Sequence, residues 1–446
     1  MSSTLLLKFT RPGSSALRFR SLSSSALPVQ VKAATHQIPD SVRIDGQDYV
    51  TDGNYNLNPK TLQLLERHLL QEKYNPLCLL KQRIVSHFNQ NFRKGGGSRS
   101  PLFTVCEHER RVVSVSENFD SLLTPDDHIS RSATDAYYIN KDHLLRGHTS
   151  AHQDSLIRSG LDAFLCFGDV YRRDEIDRTH YPCFHQMEAV NLFTHDQLFG
   201  SRQRDDNELF EVNGERTAEK QESMTRDTSI ALQISLKNAL ESLFHDLFGP
   251  DIQMRWVDAY FPFTHPSFEL EIFHEDRWLE MLGCGVMEQR LLNSAGASSK
   301  VGWAFGLGLE RLAMIMYNVP DIRLFWSKDS GFLSQFEGKT PQDVVAYKAV
   351  SLHPQLYMDV SYWLPANSSS DSMRADVMDV VRQIGGDLVE QVKLIDEFEN
   401  KKTGRRSQCF RIIYRSNDRA LTKDEINLLH AKIQQELVSN YGVEIR

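Results

Sequence analysis

The chain has 446 residues, 40% hydrophobic and 25% charged, the composition of a globular protein long enough for two or three domains. A formal net charge of -8 excludes a polycation that meets nucleic acid over its whole surface, so any such contact must use local patches. No apolar run approaches the ~20 residues of a membrane span. The six cysteines (Cys78, Cys106, Cys166, Cys183, Cys284, Cys409) include no Cys-x-x-Cys pair, which argues against a zinc knuckle and a disulfide framework.

Residues 1–35 carry Lys8, Arg11, Arg18, Arg20 and Lys32, many serines and no acidic residue. The apolar stretch 5–7 is too short for a secretory signal, so an organellar transit peptide is expected, with the mitochondrial matrix favoured over a plastid. Residues 59–70 predict a short amphipathic helix and 76–92 a longer one, followed by a glycine-rich loop over 93–101. From there to about Trp326, short strands and helices mix without βαβ alternation, which predicts an α+β domain on an antiparallel sheet with flanking helices, spanning 36–325. The polar stretch 205–228 reads as a surface insertion, 229–248 as an amphipathic helix and 326–352 as a linker. The last unit, 353–446, gives a strand at 356–364 and a helix at 374–384 stopped by Gly385-Gly386. Strands at 388–398 and 409–415, a helix at 422–440 and a short strand at 443–446 complete it. That order, βαββαβ, is ferredoxin-like.

Two distant segments carry the chemistry. Residues 168–190, GDVYRRDEIDRTHYPCFHQMEAV, put Arg172 and Arg173 at a strand end, then a polar loop, then Phe184, His185, Gln186 and Glu188 on a second strand. Residues 302–311, GWAFGLGLER, read as a strand that breaks at a Gly-Leu-Gly turn and enters a helix bearing Glu310 and Arg311. Arginines on two rigid elements can hold two parts of one polyphosphate, because a guanidinium is permanently charged and binds oxyanions bidentately. There is no Gly-x-x-x-x-Gly-Lys loop, so ATP would be used by another route.

These segments resemble motifs 2 and 3 of class II aminoacyl-tRNA synthetases. With HTSAHQ at 148–153, FHQMEA at 184–189, FPFTHPSFE at 261–269 and GLGLER at 306–311, the chain is similar to phenylalanyl-tRNA synthetases of the single-chain organellar type, from about Pro76 to the C-terminus. The resemblance implies ATP, L-phenylalanine and tRNA(Phe) as partners, Mg²⁺ arriving with ATP, no membrane, and 353–446 as an anticodon-binding domain. Residues 98–123 show little of the long dimer-forming helix of the oligomeric relatives, so a monomer is expected.

Carried over residue by residue, Arg172 would bridge the α-phosphate and the amino-acid carboxylate, and Arg311 the γ-phosphate side. Phe184 would stack on the adenine opposite Arg311, and His180 would meet the terminal phosphates. Glu280 would hold Mg²⁺. Gln186 and Glu188, two apart on one strand face, would bind the ammonium, with His148, Ser150 and Gln153 from the preceding loop. Phe261 and Phe263, read as alternating on one strand, would grip the substrate ring, and Ala304 would leave room at its far end. The strip 401–419, with seven basic residues and one acidic, interleaves Phe410 and Tyr414. Lys401, Lys402, Arg405, Arg406 and Arg411 are its candidates for tRNA phosphate contact, with the rings stacking on bases. A non-catalytic RNA-binding paralogue, the alternative, would be expected to lose Arg172, Glu188 or Arg311. All three are present.

Overall fold

The computed structural model describes residues 38–95, 98–107, 109–173, 178–200, 208–349, 353–365, 368, 370–416 and 419–446, so the expected transit peptide lies outside the described residues. The first strands, β1 (Ser41–Ile44) and β2 (Gln47–Val50), form a hairpin whose turn residues Asp45 and Gly46 both take positive φ. The helix after it, capped by Asn58, runs only over Pro59–Leu64, shorter than the pattern suggested. Its apolar residues serve two clusters: Leu64 and Leu65 pack under the hairpin, whereas Leu69 and Leu70 enter the main core, and one straight helix cannot reach both. The second helix, Pro76–Asn91, starts at an Asn75 cap with proline in the first turn and buries Leu77, Leu80, Ile84 and Phe88.

A seven-stranded sheet organises the body. Its strands are β3 (Thr104–Cys106), β6 (Ala163–Tyr171), β7 (Cys183–Phe193), β8 (Met254–Phe261), β9 (Thr264–His274), β10 (Arg277–Met287) and β11 (Val301–Gly308), while β4 (Val112–Ser114) and β5 (His143–Leu145) pair separately. The order is β3-β6-β7-β11-β10-β9-β8, antiparallel except for β3 against β6. Alternation divides the two faces. On one, Met187, Ala189, Trp303, Phe305 and Leu307 enter a core shared with the Pro76–Asn91 and Arg226–Phe248 helices. On the other, Gln186, Glu188, Ala304, Gly306 and Gly308 line a cavity.

Three local readings are corrected. Gly306-Leu307-Gly308 is no turn: β11 runs through Gly308 straight into the Leu309–Met316 helix, because Leu307 is buried and β7 pairs along the whole stretch. Within the stretch expected as a surface insertion, the described residues 208–228 are anchored, not merely superficial. Leu209 and Met224 are buried, and Gln221 donates to the carbonyls of His265 (2.8 Å) and Met287 (2.9 Å). The segment expected as a linker contributes Phe332 and Phe336 to the main core, since burying two phenylalanines is favourable wherever the body offers apolar surface.

The C-terminal unit has β12 (Leu356–Trp363), a helix over Ser370–Gly385, β13 (Val389–Glu399), β14 (Arg406–Tyr414), a helix over Lys423–Tyr441 capped by Thr422, and β15 (Glu444–Ile445). Its antiparallel order, β13-β14-β12-β15, realises the βαββαβ pattern. Phe410 and Tyr414 are fully buried beneath the two helices, so they are core rings and not a stacking surface. The unit meets the body through Arg415, which pairs with Asp329, through Glu390, which accepts from Ser330 (2.9 Å), and through Gln355, which donates to Ser330 (3.0 Å).

Candidate active site

A cavity of about 720 Å³ opens on the polar face of the seven-stranded sheet. Its floor follows one register row, with Glu188 on β7 opposite Gly306 on β11, then Gly283 on β10, and the row continues past the cavity lining to Glu269 on β9. A Cβ at Gly306 would meet nothing within 4 Å, whereas one at Gly283 would sit 2.5 Å from Cζ of Phe261. The two glycines therefore do different work: one leaves the floor open and the other makes a seat for an aromatic ring. The next row places Val190, Ala304, Gly285 and Ser267 side by side. Phe261 ends β8, but Phe263 lies in the following turn, which corrects the same-strand reading. The turn nonetheless brings the rings parallel, with centroids 5.8 Å apart at 14°.

At the other end of the row Glu188 is 2% exposed. Gln153 Nε2 donates to its Oε1, while Oε2 is buried with no hydrogen-bond partner. Burial raises its pKa to about 7, with the Gln153 hydrogen bond and the nearby Ser150 and Thr149 hydroxyls opposing the shift. Gln186 accepts from the backbone N–H of Thr149 (3.3 Å), which ties the 148–153 loop to the sheet. His148 is held neutral, its pKa pushed down to about 3 by desolvation and then by the charge of Arg172. The site thus has one buried anionic position facing the cavity and a neutral wall beside it.

The cationic groups lie apart from that carboxylate. Arg172 follows β6, donates through Nε to the carbonyl of Gly147 (2.9 Å) and lies 5.3 Å from the Phe184 ring centroid. Arg311, in the first turn of the Leu309–Met316 helix, donates to the Glu280 carbonyl at 2.7 Å. Arg173 is directed elsewhere, its Nη1 donating to the Ala133 carbonyl at 2.5 Å. His180 lines the cavity from an exposed position. Glu280 is exposed on β10, and Glu269 has its pKa raised by burial and then by the charges of Glu280 and Glu271. Mutually repelling carboxylates near the Arg311 guanidinium suit a hard divalent cation. No group of three or more metal-ligating side chains is assembled among the described residues.

Every residue that the resemblance assigned to ATP or the amino acid lines this one cavity: His148, Ser150, Gln153, Arg172, His180, Phe184, Gln186, Glu188, Phe261, Phe263, Glu280, Ala304 and Arg311. The strip assigned to tRNA lies in the C-terminal unit, with Lys401 and Lys402 exposed at the β13–β14 turn. Arg405 pairs with Glu444, Arg406 donates to the Ser368 carbonyl (2.6 Å), and Arg411 pairs with Asp359 (2.8 Å). Sequence reasoning missed two supports. Glu310 accepts from the backbone N–H (2.9 Å) and Nδ1 (2.6 Å) of buried His185, locking the helix that carries Arg311 onto β7. Arg146, 1% exposed, donates to Asp169 (2.8 Å) and to the Glu109 carbonyl (3.1 Å) behind the 148–153 loop. An acidic residue next to an arginine hinted at the first; nothing local signalled the second.

The chain matches the family profile of the class II tRNA synthetase core domain (F) over residues 81–199 and 217–336, and that of the ferredoxin-fold anticodon binding domain over 351–446. It is 48% identical over 424 residues to the mitochondrial phenylalanine–tRNA ligase of Mus musculus, covering 95% of this chain and 93% of that protein. With the probable mitochondrial enzyme of Drosophila melanogaster the identity is 45% over 444 residues and 96% of each chain. With the chloroplastic/mitochondrial enzyme of Arabidopsis thaliana it is 42% over 435 residues, covering 96% of this chain and 93% of that one. A mainly antiparallel sheet with Arg172 just past the end of β6 and Arg311 on the helix that follows β11, joined to that ferredoxin fold, defines a class II aminoacyl-tRNA synthetase. The chain belongs to the mitochondrial phenylalanine–tRNA ligase family.

Proposed function

We propose that this protein activates L-phenylalanine with ATP and transfers it to the 3′ end of tRNA(Phe) in organellar translation. The observation that carries the reading is Glu188, whose buried and unpartnered Oε2 shares a cavity with the stacked Phe261 and Phe263 and with Arg172 and Arg311. An α-amino acid with an aromatic side chain matches both ends of that row: its ammonium meets Glu188 and its ring meets the phenylalanines, with Ala304 at the far end. The substrate carboxylate oxygen attacks the α-phosphorus, the bond to the β-phosphate oxygen breaks, and pyrophosphate leaves. Arg172 holds the two anions together, and Arg311 takes charge on the leaving side, so positioning and electrostatics supply the rate. The tRNA hydroxyl then attacks the acyl carbon and AMP leaves.

ATP is used with a divalent metal in this class, and we assign Mg²⁺, with Glu280 and Glu269 as the carboxylates placed to hold it. Bound there, the cation would neutralise phosphate charge. An apolar pocket rejects an added hydroxyl by only about a hundredfold, so measurable activation of tyrosine is expected. We further propose a monomer in the mitochondrial matrix, delivered by residues 1–35. Among the described residues no helix is long and apolar enough to cross a membrane. The test is ATP–pyrophosphate exchange on the chain lacking its first 35 residues, comparing phenylalanine with tyrosine. Exchange preferring phenylalanine and lost in Arg172→Ala supports the reading. A folded protein that binds tRNA but shows no exchange with any amino acid overturns it in favour of a non-catalytic RNA-binding protein.

A further inference from the structure

Residues 124–136 supply one wall of the cavity, through Thr124, His128, Ser130, Asp135 and Ala136, yet they contain only one short turn of regular structure, at Ile129–Arg131. Carbonyls in such a stretch have no ladder to bond to and must find donors elsewhere. Asn56, between β2 and the Pro59–Leu64 helix, supplies them. Its Nδ2 donates to the carbonyls of Ala133 (3.1 Å) and Ala136 (2.9 Å), and its Oδ1 accepts from the backbone N–H of Tyr138 (2.7 Å). The Asn56 backbone N–H donates in turn to the Tyr138 carbonyl (3.1 Å). A carboxamide has two N–H donors and one oxygen, and here all three are engaged.

The same Ala133 carbonyl accepts from Nη1 of Arg173 (2.5 Å), and the Asp135 carbonyl accepts from the Arg173 backbone N–H (2.8 Å). Arg173 is the chain neighbour of Arg172. Two hydrogen bonds on one carbonyl oxygen therefore connect the N-terminal segment to the strand end that carries the activating arginine. The hairpin supports that strand end by a second route. Val42 and Ile44 are buried in one cluster with Tyr171 and Cys183, which are register partners at the end of β6 and the start of β7. Arg172 and Phe184 come next in the chain after these two. At the hairpin turn Asp45 accepts from Arg111 Nε (2.9 Å), and Nη1 of Arg111 lies 3.7 Å from Asp169 on β6.

We propose that the N-terminal segment 41–65, which precedes the class II core, is a functional part of the active site. Within it Asn56 is a positioning residue that fixes the 133–136 wall and, through the Ala133 carbonyl and Arg173, the Arg172 guanidinium. This rests on the functional reading above, in which Arg172 holds both anions in the transition state. An interaction made there lowers kcat when lost, and leaves each KM nearly unchanged. A misplacement of ~1 Å is enough to cost about 100-fold.

The test measures urea unfolding and phenylalanine-dependent ATP–pyrophosphate exchange on the unaltered chain and on Asn56→Asp, Asn56→Ala, Arg173→Ala and Asn140→Ala. Asn56→Asp keeps the shape but sets a carboxylate oxygen against two carbonyls. Its kcat should fall about 10- to 100-fold, with the KM for phenylalanine and for ATP within about threefold of the unaltered values. Arg173 is exposed, so Arg173→Ala should fold and also lose kcat, which tests the relay even if the Asn56 variants unfold. The double variant Asn56→Ala/Arg173→Ala should lose about as much as the worse single one, because both act on the Ala133 carbonyl. Asn140 is the matched control: its Nδ2 ties the same segment to the body through the Val50 carbonyl (2.7 Å), and it does not line the cavity. Asn140→Ala should lose stability and keep its kcat. An unaltered kcat in Arg173→Ala, or losses that multiply in the double variant, overturns the proposal. Equal kcat losses in Asn140→Ala and Asn56→Asp overturn it too, since they leave the segment a general structural role only. Absence of exchange in the unaltered chain fails the functional reading itself, and this proposal with it.

Discussion

Replacing Glu188 with glutamine should stabilise the free protein while removing its activity. The Glu188 carboxyl keeps its proton up to about pH 7 in the folded protein, against an ordinary value of 4.5, because burial penalises the charged form. The unfolded chain therefore sheds this proton first as pH rises, and the folded state is disfavoured progressively between pH 4.5 and 7. At 1.36 kcal/mol per unit the full effect is about 3 kcal/mol, reached above pH 7. Glutamine has no proton to lose and still offers an acceptor to Gln153. Urea unfolding at constant ionic strength, followed by tryptophan fluorescence, should show Glu188→Gln gaining roughly 2–3 kcal/mol over the unaltered protein between pH 5 and pH 8. Phenylalanine-dependent exchange should be lost, since a neutral amide cannot compensate a desolvated ammonium. If the two proteins run parallel across that pH range, Glu188 is ionised normally and the ammonium site has been misread.

The same carboxylate predicts that the KM for phenylalanine in exchange falls about tenfold from pH 6 to pH 8, because only ionised Glu188 pairs with the ammonium. A flat profile would contradict the raised pKa. The two floor glycines should separate by assay: Gly283→Ala, whose Cβ would meet the Phe261 ring at 2.5 Å, should lose about 1–3 kcal/mol of stability. Gly306→Ala, whose Cβ meets nothing, should fold normally and raise the KM for phenylalanine, and comparable unfolding losses in both would refute the distinction. Arg146→Ala removes the partner of Asp169 at 2.8 Å but leaves it the Tyr171 hydroxyl and Arg111 at 3.7 Å, and should cost about 1–3 kcal/mol in thermal or urea unfolding. A loss below about 1 kcal/mol would mean that water replaces the pair.

Much of the site was legible because its chemistry is local. A strand end with Arg172, a strand face with Gln186 and Glu188, and a helix first turn with Arg311 follow from spacing and side-chain type, and the structure gathers these residues around one cavity. The βαββαβ order was readable for the same reason, from periodicity and stop signals within each element. Period alone tells which residues share a face but not which face is covered. Phe410 and Tyr414 looked available beside basic residues, yet the two helices of their domain bury them, while Phe398 on β13 stays exposed.

The sequence by itself determined which groups are present and how they alternate along each strand, since those properties belong to neighbours in the chain. Only the tertiary structure decided that Oε2 of Glu188 has no partner, that the Phe263 ring comes parallel to Phe261 through a turn, and that Arg405 and Arg411 already face carboxylates. Each of these depends on what lies opposite across the sheet, and hydrogen bonding, burial and charge pairing are set by neighbours in space that sequence distance does not record.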